Sequence, residues 1–216
     1  MQEMHHRIKN NLQTVADLLS LEMSRNPRPE VQESLRDSIT RIKSIAASHM
    51  MLSAENVGAT DITGLARLVG ETARRSMVAP DQRIAITVTG PSVFLTSKQA
   101  TAFALVLNEI ICNAIEHGFR NSKEGRIDVE IDWDNAEILL RVRDDGKGLA
   151  EGFDLATSRG LGLQIARTLV EKDLRGRMGI ANGTRDSLMT VDQDSSTPTI
   201  GTTVWVRIQR GDAIEK

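Results

Sequence analysis

The chain contains no tyrosine and one cysteine, and four Phe and two Trp are its only aromatics among 216 residues. So few rings leave little surface for stacking bases. The 27 basic residues are outweighed by 29 acidic ones, so the positive field that draws a protein onto nucleic acid is absent as well. Direct nucleic-acid binding is therefore excluded as an expectation. Cys112 has no partner for an internal disulfide or a thiolate metal cluster and lies in an apolar helical run, which predicts a buried small hydrophobe and a reducing, cytoplasmic setting. No apolar stretch approaches the roughly 20 residues that cross a bilayer. The start, MQEMHHRIKNN, carries no signal-peptide apolar segment, so no membrane contact is expected within this chain.

What is present suits a soluble globular protein: 40% apolar residues, enough for one ordinary domain and a small helical appendage. Met4, Ile8, Leu12, Val15 and Leu19 recur at spacings of four and three, which predicts an amphipathic helix to about Met23. Asn26-Pro27-Arg28-Pro29 stops it. Val31, Leu35, Ile39, Ile42 and Ile45 or Ala46 repeat the pattern to about Leu52, so residues 1–57 read as an antiparallel hairpin. Two helices bury little alone, and apolar seams on both arms predict a homodimer closing a four-helix bundle.

Residues 58–216 form the second expected domain. Asp61 caps a helix to about Met77, and RIAITVT (83–89) alternates like a strand. Lys98 to Glu116 is expected as one long helix. Arg126 to Asp132 and Glu137 to Arg143 make a hairpin around Asp134-Asn135, Gly160 to Asp173 is helical, and Arg177 to Ala181, Ser187 to Val191 and Thr202 to Ile208 are strands. DQDSSTPT (192–199) reads as a surface loop. Helices and strands mix without strict alternation, which predicts an α+β sandwich.

Four segments of this domain carry chemistry. In NEIICNAIEHG (108–118) a single helix would place Glu109, Asn113 and His117 along one side, beside an apolar stripe of Phe103, Leu107, Ile110 and Ala114. An Asn amide oxygen is a hard, neutral ligand that suits Mg²⁺, although an isolated Asn is more often plain solvated surface. DDGKGL (144–149) follows a strand: Gly146 and Gly148 permit a sharp turn, and the Asp144 carboxylate can accept from an adenine amino group. In RGLGLQIA (159–166), Gly160, Leu161 and Gly162 open a helix whose N-terminal amides favour phosphate. In IGTTVWV, Thr202 and Thr203 head the last strand with hydroxyls within reach of a nucleotide. Each segment alone is weak.

Their order and spacing together resemble the Bergerat ATP-binding fold shared by gyrase, the ninety-kilodalton heat-shock chaperone, MutL-type repair proteins and histidine kinases. The resemblance covers about residues 61–208. It implies that Asn113 holds Mg²⁺, Asp144 reads adenine, Gly146 and Gly148 shape the adenine pocket, and Gly160 and Gly162 hinge at the phosphate side. It places Glu109 where the ATPases carry a water-activating carboxylate and makes 150–159 a short lid.

Upstream, HHRIKNNLQTVADLL resembles the H-R-x-K-N box of sensor kinases related to the HWE class. Asn108 stands where strict HWE kinases have His, and their W-x-E is absent around Arg143, so the sister class fits better. The resemblance implies a two-component kinase, ATP:protein-L-histidine phosphotransferase, with His6 as the acceptor. At about 100° per residue, His5 points about 60° from the Ile8 direction and His6 about 160° from it, beside Glu3 and Asn10, groups suited to orient the ring or take its proton. His49 reads as solvated surface. Phosphate would pass to a response-regulator receiver, for which some members of the class use one with RNA-binding antiterminator output. The rivals are a Bergerat ATPase or anti-sigma-type serine kinase that uses the hairpin only for dimerisation, and a binding module with a degenerate site.

Overall fold

The computed structural model describes residues 2–32, 35–36, 38–39, 42, 59–134, 136–155, 161–183 and 201–209; of 2–13 and 161 it describes the backbone only. Helix α1 (Gln2–Arg25) ends where expected: Asn26 Oδ1 accepts from Arg28 N–H at 3.0 Å, and the backbone turns helical again at 29–32. Its buried line differs from the expected one. Ala16 is fully buried and Leu19 and Met23 are half-buried, while Val15, expected in the seam, is 44% exposed. A small side chain at 16 admits close approach and draws the seam to its own side, leaving Val15 on a flank. The second arm beyond residue 42, with His49, the expected strand 187–191 and the loop 192–199 lie outside the described residues.

Among the described residues from 83 onward a five-stranded sheet forms the frame. Its strands are β2 (Arg83–Thr89), β4 (Glu124–Trp133), β5 (Glu137–Asp144), β6 (Gly176–Asn182) and β7 (Thr202–Gln209), in the order β2-β4-β5-β7-β6. Within this sheet, among the described residues, only β2 and β4 run parallel, joined through β3 (Phe94–Thr96) and helix α3 (Ser97–Asn113). A parallel pair needs such a crossover, whereas β4 and β5 turn directly: Asp134 Oδ1 accepts from Ala136 N–H at 2.7 Å and Glu137 N–H at 2.8 Å. Two short segments escaped the sequence reading, β1 (Ala59–Asp61) and β3, which pair antiparallel as a separate ribbon. Three-residue strands carry too few alternations to register as a period.

Helix α2 (Ile62–Met77) starts at Asp61, whose carboxylate accepts from Thr63 N–H at 3.0 Å, and helix α4 spans Leu161–Lys172. Along β5 every second residue is buried, so one face of the sheet meets the helices and the other carries ion pairs such as Arg141 to Glu130. Ile127, Val129, Leu140, Val142 and Val206 from the sheet meet Phe103, Leu107 and Ile111 of α3 and Ala166 and Val170 of α4 in one core. Cys112 is buried, as expected of a small hydrophobe. The long helix expected to Glu116 stops at Asn113 and widens into a π turn, Ala114–Gly118.

Candidate functional site

The cavity opens where α3 ends, beside the C-terminal end of β5. Asp144 is the last residue of β5 and stays in place because its register partner on β7 is Thr202. The carboxylate is 6% exposed and accepts from Gly146 N–H at 3.0 Å and from the Thr202 amide and hydroxyl. Burial pushes its pKa above the ordinary value, and these donors offset part of the shift. Thr202, expected to reach a ligand directly, thus spends its hydroxyl on Asp144 while also lining the cavity.

Glycines bring the loop after β5 against the π turn. A Cβ on Gly146 would stand 2.7 Å from Gly118 Cα, and Lys147 N–H donates to Gly118 O at 3.2 Å. Neither contact survives a side chain at 146. The widened turn shifts His117 from its expected place relative to Glu109 and Asn113, because a π turn advances the register by an extra residue. Asn113 and His117 both line the cavity; Glu109, 6% exposed, is buried in α3 and does not.

The cavity measures about 570 Å³, the size that holds a nucleotide. Its polar groups are Asn113, Glu116, His117, Asp144, Lys147 and Thr202, and Ile110, Val142, Ile180, Leu163 and Val204 form apolar walls. Asn113 Nδ2 is buried without a hydrogen-bond partner among the described residues, so its amide is available to a ligand. Gly148 and Gly162 line the same cavity. Gly160 lies outside the described residues, as do the side chains of Leu161, His6 and Asn10. Leu149, the end of the DDGKGL segment, and Ala150 and Phe153, within the stretch that the resemblance makes a lid, also line the cavity, though the sequence reading gave none of the three a role of its own. Among the described residues no three His, Cys, Asp or Glu side chains gather as a metal cage, and no helix is long and apolar enough to cross a membrane.

A mixed sheet backed by helices, with a buried carboxylate at a strand end facing an Asn from the neighbouring helix, defines a Bergerat-type nucleotide-binding sandwich. The chain belongs to the histidine kinases: residues 3–75 match the family described as histidine kinase, and residues 98–212 the histidine kinase-, DNA gyrase B- and HSP90-like ATPases. It is 39% identical over 184 residues to the sensor histidine kinase PdtaS of Mycobacterium tuberculosis, covering 83% of this chain and 36% of the relative. The blue-light-activated histidine kinase 2 of Erythrobacter litoralis is 24% identical over 88% of this chain and 55% of its own length. The chain thus spans about a third of the length of its mycobacterial relatives. In fold it resembles the histidine kinase domain of the Erythrobacter litoralis EL346 blue-light activated kinase, with a TM-score of 0.62 at 16% identity over 91% of this chain and 95% of that one. The anti-sigma F factor of Shouchella clausii is 28% identical over 53% of the chain, a weaker likeness. Residues 98–212 accordingly belong to an ATP-binding domain of a histidine kinase core.

Proposed function

We propose that residues 1–57 are a dimerising phosphoacceptor hairpin and residues 58–216 a catalytic domain, which together phosphorylate His6 from ATP and pass the phosphoryl group to a receiver aspartate. The observation that carries this reading is the cavity in which Asp144 and Asn113 meet, downstream of a helix with His6 on it. Asp144 supplies an acceptor for the adenine amino group, and its partners Gly146 and Thr202 hold it still. Asn113 offers a neutral oxygen that would suit Mg²⁺ whose other positions are filled by phosphate and water. Bound Mg-ATP supplies the phosphoryl group with its charge shielded. His117 and Lys147, which line the cavity, and the N-terminal amides of α4 suit negative charge at that side, and the resemblance gives Glu109 the water-activating role although it does not line the cavity.

His6 accepts through a neutral ring nitrogen, with Glu3 and Asn10 within one turn to orient the ring. Continued along the helix from buried Ala16 at about 100° per residue, position 5 falls about 20° from its direction and position 6 about 80° from it. The helical period thus carries position 6 farther than position 5 from the direction of Ala16. The partners implied are a second copy of the chain and a receiver domain, of which an RNA-binding antiterminator output is one form. Incubation with γ-labelled ATP should give acid-labile, base-stable phosphate that His6→Gln abolishes and His5→Gln retains. The opposite pattern overturns the assignment, and acid-stable phosphate favours a serine kinase of the anti-sigma type.

A further inference from the structure

The loop that walls the cavity after Asp144 is held from the far edge of the sheet. Asn182, the last residue of β6, aims its carboxamide at a single residue of that loop: its Oδ1 accepts from Leu149 N–H at 2.5 Å and its Nδ2 donates to Leu149 O at 3.3 Å. The opposite amide orientation would set donor against donor and oxygen against oxygen, so the pairing settles which way the group points. The two residues are 33 positions apart, and the clasp spans the gap between the β5 loop and the β6 edge.

The loop is shaped to accept it. Gly148 has φ +77°, a conformation that side chains rarely adopt, and a Cβ there would stand 2.9 Å from Asn182 Oδ1. The root of Asn182 is fixed in turn, since Gly183 N–H donates to Gly201 O at 2.8 Å and Thr203 Oγ1 donates to Gly183 O at 2.6 Å. Gly148, Leu149 and Ala150 line the cavity together with Asp144, so the clasp on Leu149 acts on a segment of its wall.

We propose that Asn182 is a positioning residue for the nucleotide: by clasping Leu149 from β6, it sets the width of the cavity mouth and so the affinity for ATP. This rests on the reading of the cavity as an ATP site. In the full chain, Asn182→Ala should weaken binding of the magnesium complex of a non-hydrolysable ATP analogue, measured by calorimetry, by about tenfold, the loss of two backbone-directed hydrogen bonds. Amide exchange at Leu149 should quicken while that of β7 does not. In labelling kinetics KM for ATP should rise with kcat within about twofold, whereas a merely structural role would lower kcat through a smaller folded fraction.

If alanine unfolds the chain, Asn182→Asp serves, because it keeps the acceptor for Leu149 N–H and turns an oxygen toward Leu149 O; a loss of about threefold is then expected. Wild-type affinity in whichever variant folds overturns this inference while leaving the ATP reading intact. A wild-type chain that binds no nucleotide overturns both.

Discussion

Helix α1 and the sandwich dispose of their apolar residues in opposite ways. In the sheet, Ile127, Val129, Leu140, Val142, Val206 and Ile208 are all 2% exposed or less, because a strand sends alternate side chains to one face and the helices cover that face. On α1, Val15, Leu18 and Leu21 are 44%, 61% and 48% exposed within a single copy. The sandwich completes its core alone. The apolar face these three side chains present fits the seam for a second copy proposed above.

The comparison breaks most visibly if core and seam respond alike to truncation. Phe103→Ala removes a fully buried ring from α3 and should lower stability by about 3–5 kcal/mol in urea unfolding. Leu18→Ala should leave the sandwich transition within about 0.5 kcal/mol. A loss from Leu18→Ala as large as that from Phe103→Ala would mean that α1 is core to a single copy. Leu18→Glu sharpens the same contrast. By sedimentation it should weaken self-association at least about tenfold, since a buried Leu is worth roughly 1.5–3 kcal/mol, and the sandwich should melt as before. An unchanged association constant places the dimer seam elsewhere.

Within the sandwich the smaller effects are electrostatic. Burial raises the pKa of Asp144 above its ordinary 3.8, so its contribution to stability is fully present below that value and is lost as pH rises through the folded value. At neutral pH the ionised group therefore opposes folding. Asp144→Asn should raise the melting temperature of the nucleotide-free chain by about 1–3 °C while nucleotide affinity collapses. A fall in melting temperature would show that the carboxylate's hydrogen bonds outweigh its desolvation.

Smallest of all is Glu71, which bridges Arg74 and Arg75 at 2.9 and 2.7 Å on exposed α2 and has its pKa lowered to about 2. Its stabilisation is present above the ordinary 4.5 and fades as pH falls toward 2. Solvent screens it. Glu71→Gln should move the melting temperature by no more than about 1 °C, a difference that 1 M salt erases.

Elements with a long period were legible before any fold was known. Helix α2 with its Asp61 cap, the alternating strands β2, β4 and β5 and the break at Asn26-Pro27 all follow from neighbours in sequence. Short or register-dependent features were not. The ribbon of β1 and β3 exists only because residues 59–61 and 94–96 meet, and the π turn puts Gly118 where Gly146 can touch it.

The same division holds at the cavity. Asp144, Asn113 and the glycines declared themselves by residue type and spacing, because a tight turn, a carboxylate and a hard oxygen ligand are local chemical requirements. The sequence by itself thus picked out Asn113, His117, Asp144, Gly148, Gly162 and Thr202, which line one cavity, and the apolar seam of the leading helix. Only the tertiary structure decided that Thr202 serves Asp144, that Asn182 grips Leu149 from 33 residues away and that the line of α1 buried within one copy runs through Ala16 and not Val15. Each of these depends on a partner supplied by another element, and a hydrogen bond or a packed contact between distant segments leaves no periodic trace in either one.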